Sequence, residues 1–312
     1  MPIYPKQTLL WPKSFKETAV PKLHQPSTDD LPPLPSLTVE RLVEIALSED
    51  WGRTGDITSQ NVIPTQARAH GVIRAREAGT LAGMDLAEAA FCANRSGLQV
   101  TRHKQDGETL KPGDEVATIE GSARALLAAE RVALNYLGHM SGIASKTAHL
   151  VALVAHTKAQ ICDTRKTTPG LRAVEKYAVR AGGGANHRFG LDDAIMIKDN
   201  HIAVAGGITP ALTAAQNGAG HMVAIEIEVD TLEQLDEALA AKARIILLDN
   251  MSPEQLAKAV ERTQGRAVLE ASGRVSEATV VAIAESGVDY ISVGAITHSP
   301  QTLDLGLDID LY

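Results

Sequence analysis

Aromatic residues are scarce in this chain, with two Trp, five Tyr and three Phe among 312 residues. No basic excess exists either: 30 Lys+Arg stand against 38 Asp+Glu, a formal charge of −8. A general nucleic-acid binder needs a basic surface and stacking platforms, so this balance argues against that class. No run of about 18 apolar residues occurs, so no helix is expected to span a membrane. The N-terminal stretch lacks both an apolar signal core and an Arg-rich amphipathic pattern, which argues against export. Only two cysteines are present, Cys92 and Cys162, far apart and outside any CxxC, as expected of a reduced cytoplasmic chain. What is abundant is aliphatic: 44% of residues are apolar and 22% charged, which excludes wholesale disorder.

Eight of the 14 prolines fall in the first 35 residues, so residues 1–37 read as an extended arm. Helical periodicity begins at Thr38, a candidate N-cap, with Val39, Leu42, Val43, Ala46 and Leu47 on one face. Residues 66–120 read as strands and hairpins around one helix at 84–94, and 123–137 as a helix apolar nearly all round. Such a helix must be buried, in a domain junction or a subunit interface. Six short apolar strands follow, at 159–163, 194–198, 223–229, 244–249, 267–271 and 289–293. The last four recur every 21–23 residues and alternate with helices. Thr231-x-x-Gln234 and Ser252-x-x-Gln255 read as capping boxes, and Gly218 and Gly287 as helix stops.

Repeated strand–helix units imply parallel strands with right-handed crossovers. An open doubly wound sheet and a barrel both satisfy this. The barrel is favoured because every strand ends in polar or small residues: Asp163 with Arg165 and Lys166, Lys198, Glu226 with Glu228, Asp249, Glu270 with Ser272, and Gly294. The expected fold class is α/β: a mixed α/β N-terminal domain (38–145), an α/β barrel (146–300) and a C-terminal tail (301–312). A return of that last segment to the first domain stays open.

Nucleotide-binding, zinc-protease and nucleophile-elbow signatures are absent. The sequence instead carries a cationic constellation within an acidic protein: Arg165, Lys166, His187, Arg188 and Lys198. Cations gathered in a concave site repel one another unless an anion binds, which points to a polyanionic substrate. Arg172, Lys176 and Arg180, spaced by four, read instead as a solvated helix face. Glu228 and Asp249 end two later strands, either as charge balance for the cations or as holders of Mg2+ and sugar hydroxyls. Ser272-Gly273 and Val293-Gly294-Ala295 would let backbone N–H groups approach a phosphate.

The stretches Asp163-Thr-Arg-Lys-Thr-Thr-Pro-Gly170, Gly182-Gly-Gly-Ala-Asn-His-Arg-Phe-Gly-Leu191 and Ile197-Lys-Asp-Asn-His201 resemble the signature blocks of quinolinate phosphoribosyltransferase. Glu130-Arg-Val-Ala-Leu-Asn135, Ser141-Gly-Ile-Ala144, Leu248-Asp-Asn250, Ser272-Gly273 and Val293-Gly-Ala-Ile-Thr-His-Ser299 match the same family in the same order. The likeness covers roughly 38–300; Ser145 and Arg274 depart from its usual Thr and Gly or Asn. The resemblance implies transfer of phosphoribosyl from 5-phosphoribosyl-1-pyrophosphate to quinolinate with decarboxylation, giving nicotinate mononucleotide, pyrophosphate and CO2 for NAD biosynthesis.

By the same resemblance Arg165, His187, Arg188 and Lys198 line the quinolinate site, and Lys166 and Lys198 reach the donor. Thr164 and Arg274 belong to the substrate pocket. Glu228 and Asp249 hold Mg2+ and ribose hydroxyls, while the loops at Ser272-Gly273 and Val293-Gly294-Ala295 hold the 5′-phosphate. Arg131 enters from the partner of a homodimer. The residues also admit a Schiff-base lyase with Lys198 as nucleophile, a relative using another acceptor such as nicotinate, and a non-catalytic nucleotide binder.

Overall fold

The computed structural model describes residues 31–93 and 96–311. The arm expected over 1–37 lies outside them up to residue 30. Helix α1 (Ser36–Trp51) starts two residues earlier than its periodicity suggests, because the Pro35 carbonyl accepts the Thr38 N–H at 2.9 Å. Thr38 is therefore inside the first turn and not its cap. Val39, Val43 and Leu47 form the buried face.

The N-terminal domain adds α2 (Ile57–Val62), β1 (Arg68–Ala75), β2 (Gly79–Thr80), α3 (Met84–Cys92), β3 (Gln99–Arg102), β4 (Thr109–Leu110) and β5 (Glu115–Ser122). Helix α4 (Ala123–Val154) then runs without a break through the 145/146 boundary expected between domains. The sequence reading stopped that helix at residue 137, just before a glycine. Those glycines serve close approach instead of termination: a Cβ on Gly142 would lie 1.8 Å from the Gln301 carbonyl oxygen, and one on Gly138 would meet Thr302. Two glycines in a helix cost roughly 1 kcal/mol each in propensity, offset here by docking the 301–303 segment. The helix is buried along most of its length, as its composition requires, at the junction of both domains.

The C-terminal half supplies β6 (Gln160–Cys162), α5 (Arg172–Ala181), β7 (Ala194–Ile197), α6 (Asp199–Ala205), α7 (Ile208–Gly218), β8 (Ala224–Val229), α8 (Leu232–Ala240), β9 (Ile245–Asp249), α9 (Pro253–Thr263), β10 (Val268–Ser272), α10 (Glu277–Glu285), β11 (Tyr290–Ser292) and α11 (Ala295–His298). Both capping boxes form, with Gln234 N–H donating to Thr231 Oγ1 and Gln255 N–H to Ser252 Oγ. The last element, β12 (Leu305–Leu311), is a strand and not a loose tail. It pairs antiparallel with β1, completing the sheet β12-β1-β5-β3.

The six parallel strands are ordered β6-β11-β10-β9-β8-β7. Strands β7 to β11 therefore lie side by side in chain order, and β11 returns to β6. A parallel bridge between Cys162 and Ala185 adds a further strand position beside β6. The strands run once round an α/β barrel. Alternation sends Ile227, Val229, Ile246 and Leu248 outward under the helices, where they are fully or almost fully buried. Their neighbours in sequence point into the barrel and build its interior.

Candidate active site

Polar inward positions come in two layers two residues apart. The upper layer, at the strands' C-terminal ends, carries Thr164, Lys198, Glu228, Asp249, Ser272 and Gly294, which all line one cavity of about 650 Å³. Arg165, Lys166, His187, Arg188, Gly273, Arg274 and Ala295 line it too. Thirteen expected site residues therefore meet around a single opening. Val293 does not: it is buried on the outward side of its strand end, and its N–H donates to the Cys162 carbonyl at 2.9 Å. Arg131 does not line the cavity of its own chain either; it lies exposed on α4.

The cations of the mouth are held in place yet left unsatisfied. Arg188 Nη1 donates to the Ala194 carbonyl at 2.9 Å. Among the described residues, the buried Nε–H groups of Arg165 and Arg188 have no hydrogen-bond partner. Burial, followed by the Arg165 charge, lowers the pKa of Arg188. Two guanidinium groups that repel each other and keep free donors define an anion site. Lys198 Nζ donates to Glu228 Oε2 at 2.9 Å. An ion-paired, half-exposed ammonium is unlike the desolvated amine that Schiff-base chemistry needs, which disfavours the lyase reading.

Gly273, in one of the two loops expected to receive a phosphate, has a steric reason. Gly273 has φ +104°, and a Cβ there would lie 2.3 Å from Asn250 Oδ1. Arg274 follows at φ 48° and Asn250 sits at φ 53°, so the backbone is left-handed on both sides of this turn. That conformation explains why Gly or Asn is the residue to expect at 274. Ser145, the other departure, is accommodated: its Oγ accepts the Thr80 N–H at 2.8 Å.

The layer beneath the mouth was not read from sequence as a unit. Asp163 is fully buried and accepts from Lys176 Nζ, from Asn186 Nδ2 at 2.7 Å and from the His187 N–H at 2.8 Å. Lys176 also donates to the His187 carbonyl. The solvated-face reading of Arg172, Lys176 and Arg180 is thus corrected. Lys176 is 4% exposed, and Arg172 binds Thr167 Oγ1 and the Phe189 carbonyl, so the face ties the 164–171 loop to the 187–189 segment. Glu175 joins the same work, accepting the Thr168 N–H at 3.0 Å and pairing with His139 at 2.9 Å.

His187 stands between Glu226, 2.9 Å from its Nε2, and Glu270, 3.7 Å away. Burial alone would lower its pKa; the Glu226 hydrogen bond and both carboxylate charges outweigh that and raise it. The available signal for this layer was the alternation itself, since Glu226 and Glu270 each lie two residues before a mouth residue.

The sequence matches two family descriptions, the quinolinate phosphoribosyl transferase N-terminal domain over residues 56–141 and its C-terminal domain over 143–308. It is 45% identical over 275 residues to a probable nicotinate-nucleotide pyrophosphorylase [carboxylating] of Bacillus subtilis, covering 88% of this chain and 94% of that one. A nicotinate-nucleotide pyrophosphorylase [carboxylating] of Mycobacterium leprae is 46% identical over 271 residues, covering 85% and 94%. The solved structure of the nicotinate-nucleotide pyrophosphorylase from Francisella tularensis superposes with a TM-score of 0.86 at 41% identity, over 91% of this chain and 100% of that one. With both domains matched in order and the cationic mouth intact, the chain belongs to the quinolinate phosphoribosyltransferase family.

Proposed function

We infer that this chain transfers the phosphoribosyl group of 5-phosphoribosyl-1-pyrophosphate to quinolinate with decarboxylation, yielding nicotinate mononucleotide, pyrophosphate and CO2 for NAD biosynthesis. The carrying observation is the pair of buried, unpartnered guanidinium N–H groups on Arg165 and Arg188 beside carboxylates on the opposite strands. Quinolinate brings two carboxylates and the donor brings a phosphate and a pyrophosphate, which together match the cation set.

Arg165, Arg188, His187 and Lys198 orient the pyridine ring so that its nitrogen faces the anomeric carbon. Lys166 and Lys198 neutralise the departing pyrophosphate, and Glu228 and Asp249 hold the ribose hydroxyls and stabilise a cationic sugar. The backbone at Ser272, Gly273, Gly294 and Ala295 receives the 5′-phosphate. Glu228 and Asp249 also suit Mg2+. Their internal bonds engage Glu228 Oε2 and Asp249 Oδ2, leaving a second oxygen on each, and Mg2+ commonly takes one or two carboxylates plus substrate phosphates and water. Bound there, the ion supplies electrostatic stabilisation to the leaving pyrophosphate.

Arg131 acts in the site of a partner subunit in a homodimer. Support comes from its exposure on a helix buried along most of its length, beside exposed Asn135, with no ion pair among the described residues. A cytoplasmic setting agrees with unpaired Cys92 and Cys162 and with no described helix long and apolar enough to cross a membrane.

Steady-state release of pyrophosphate and CO2 from quinolinate and the donor tests the reading. Equal amounts of both are expected, lost on chelation and restored by Mg2+, with Asp249→Asn or Glu228→Gln strongly impaired. Turnover of nicotinate without CO2 would replace the acceptor, and full activity in chelator would remove the metal.

A further inference from the structure

Phosphoribosyl transfer followed by loss of CO2 leaves an electron pair on ring carbon C2, and the product needs one proton there. In the reading above, the ammonium groups of Lys166 and Lys198 at the mouth serve the departing pyrophosphate and its carboxylates serve the sugar, so the upper layer as assigned supplies no acid for that step. The layer below does. We propose that Glu270 is the acid that protonates C2 after decarboxylation.

Geometry selects Glu270 over Glu226. The Arg188 N–H donates to His187 Nδ1 at 2.8 Å, so that nitrogen keeps its lone pair and the imidazole proton lies on Nε2. Nε2 is 2.9 Å from Glu226 Oε2, which therefore accepts its proton in a hydrogen bond. Glu270 Oε1, 3.7 Å from the same nitrogen, receives no hydrogen bond from the described residues although the residue is 5% exposed. Glu226 Oε1 is likewise unpartnered, and two carboxyl groups buried side by side are relieved when one of them holds a proton; Glu270, which lacks the His187 hydrogen bond, is that one.

The groups facing Glu270 favour the acid form. Glu226 comes from β8, Asp163 and Cys162 from the end of β6, Tyr290 and Ser292 from β11, and His187 from the loop after α5. Lys176 on α5 is committed to Asp163, and Arg188 lies at the cavity edge. Burial, then the Glu226 charge, pushes Glu270 up to about 7.

Glu270 also lines two spaces. One is the substrate cavity; the other, of about 290 Å³, opens from the opposite end of the barrel past Ala194, Ala224, Ile245, Val268 and Tyr290. Glu226 lines only the second. An acid between them can give its proton on the substrate side and regain one from water on the other. The bond from C2 to its carboxylate breaks, CO2 leaves neutral, and the pair remains on C2. The Glu270 O–H bond then breaks as C2–H forms, before the pair can recapture the CO2 still held beside it, leaving a carboxylate that water reprotonates through the second cavity.

The proposal rests on the reaction inferred above, and its test keeps the two apart. With quinolinate and donor, Glu270→Gln should still give a pyrophosphate burst within a few-fold of wild type. CO2 release should fall about 10²–10⁴-fold, with the dicarboxylated mononucleotide accumulating on the enzyme. In wild type, single-turnover CO2 release should fall as pH rises through the pKa of the acid while the pyrophosphate burst persists, a readout independent of how the variant folds. Wild-type CO2 release by the variant, parallel loss of burst and CO2 in a folded variant, or a flat wild-type profile would overturn the role of Glu270. So would a stoichiometric transition metal bound at His187, Glu226 and Glu270 and lost in Glu270→Gln. Wild-type enzyme that yields pyrophosphate but never CO2 would instead sink the reaction itself.

Discussion

The mouth of the barrel and the layer beneath it use the same residue types in opposite ways. At the mouth, Arg165, Lys166, Arg188 and Lys198 are partly or largely exposed, and the two arginines keep unpartnered donors. One layer down, Lys176 is enclosed and fully committed to Asp163 and the His187 carbonyl. The arginines of the mouth keep donors free for an anion from outside, whereas Lys176 below is completed from within. A cation's role thus follows from whether its partner is in the chain, not from its charge.

Arg165→Ala gives the largest expected effect on the mouth. A buried carboxylate of the substrate loses a charge-assisted partner at a cost of about 3–5 kcal/mol, so turnover should become unmeasurable while Tm stays near wild type. Near-normal turnover by the folded variant would remove Arg165 from the site.

Lys176→Met should invert that pattern. It leaves Asp163 buried without its cation, an expected loss of about 3–5 kcal/mol in stability, seen by denaturant unfolding. Lys198→Met, at the mouth, should abolish activity at nearly unchanged stability. Equal stability losses in the two variants would erase the distinction drawn here.

Mixing sharpens the same comparison across subunits. Inactive Arg131→Ala combined with inactive Lys198→Ala should recover activity after subunit exchange. Half the dimers are then mixed, each with one intact site, so recovery should approach about a quarter of wild type by two-fold symmetry. No recovery after proven exchange would confine Arg131 to its own chain.

The smallest effect concerns Arg274, the one mouth cation on strained backbone. Arg274→Gly relieves a positive φ worth about 1 kcal/mol and should raise Tm slightly. It should also raise KM for the phosphoribosyl donor with little change for quinolinate. An unchanged donor KM would leave Arg274 outside the phosphate loop.

The architecture of the barrel was legible because its strands are short, apolar and regularly spaced, and each ends in a residue with chemistry. Capping boxes at Thr231 and Ser252 marked helix starts through local hydrogen bonds, which need no tertiary context. The length of α4 was not legible. Gly138 and Gly142 look like breaks until the 301–303 segment that crowds them is placed. Lys176 was misread for a related reason: four-residue spacing describes a helix face but not what that face meets. Asp163, Glu226 and Glu270 were visible as polar strand ends, yet their coupling depends on which side of each strand faces inward.

The most direct measurement is a crystal structure with quinolinate bound. The ring should lie in the cavity at the strand ends, with its carboxylates on Arg165 and Arg188 and the previously unpartnered Nε–H groups satisfied. Arg131 of the partner subunit should complete the pocket. Quinolinate seated elsewhere, with both guanidinium groups still unpartnered, would contradict the account.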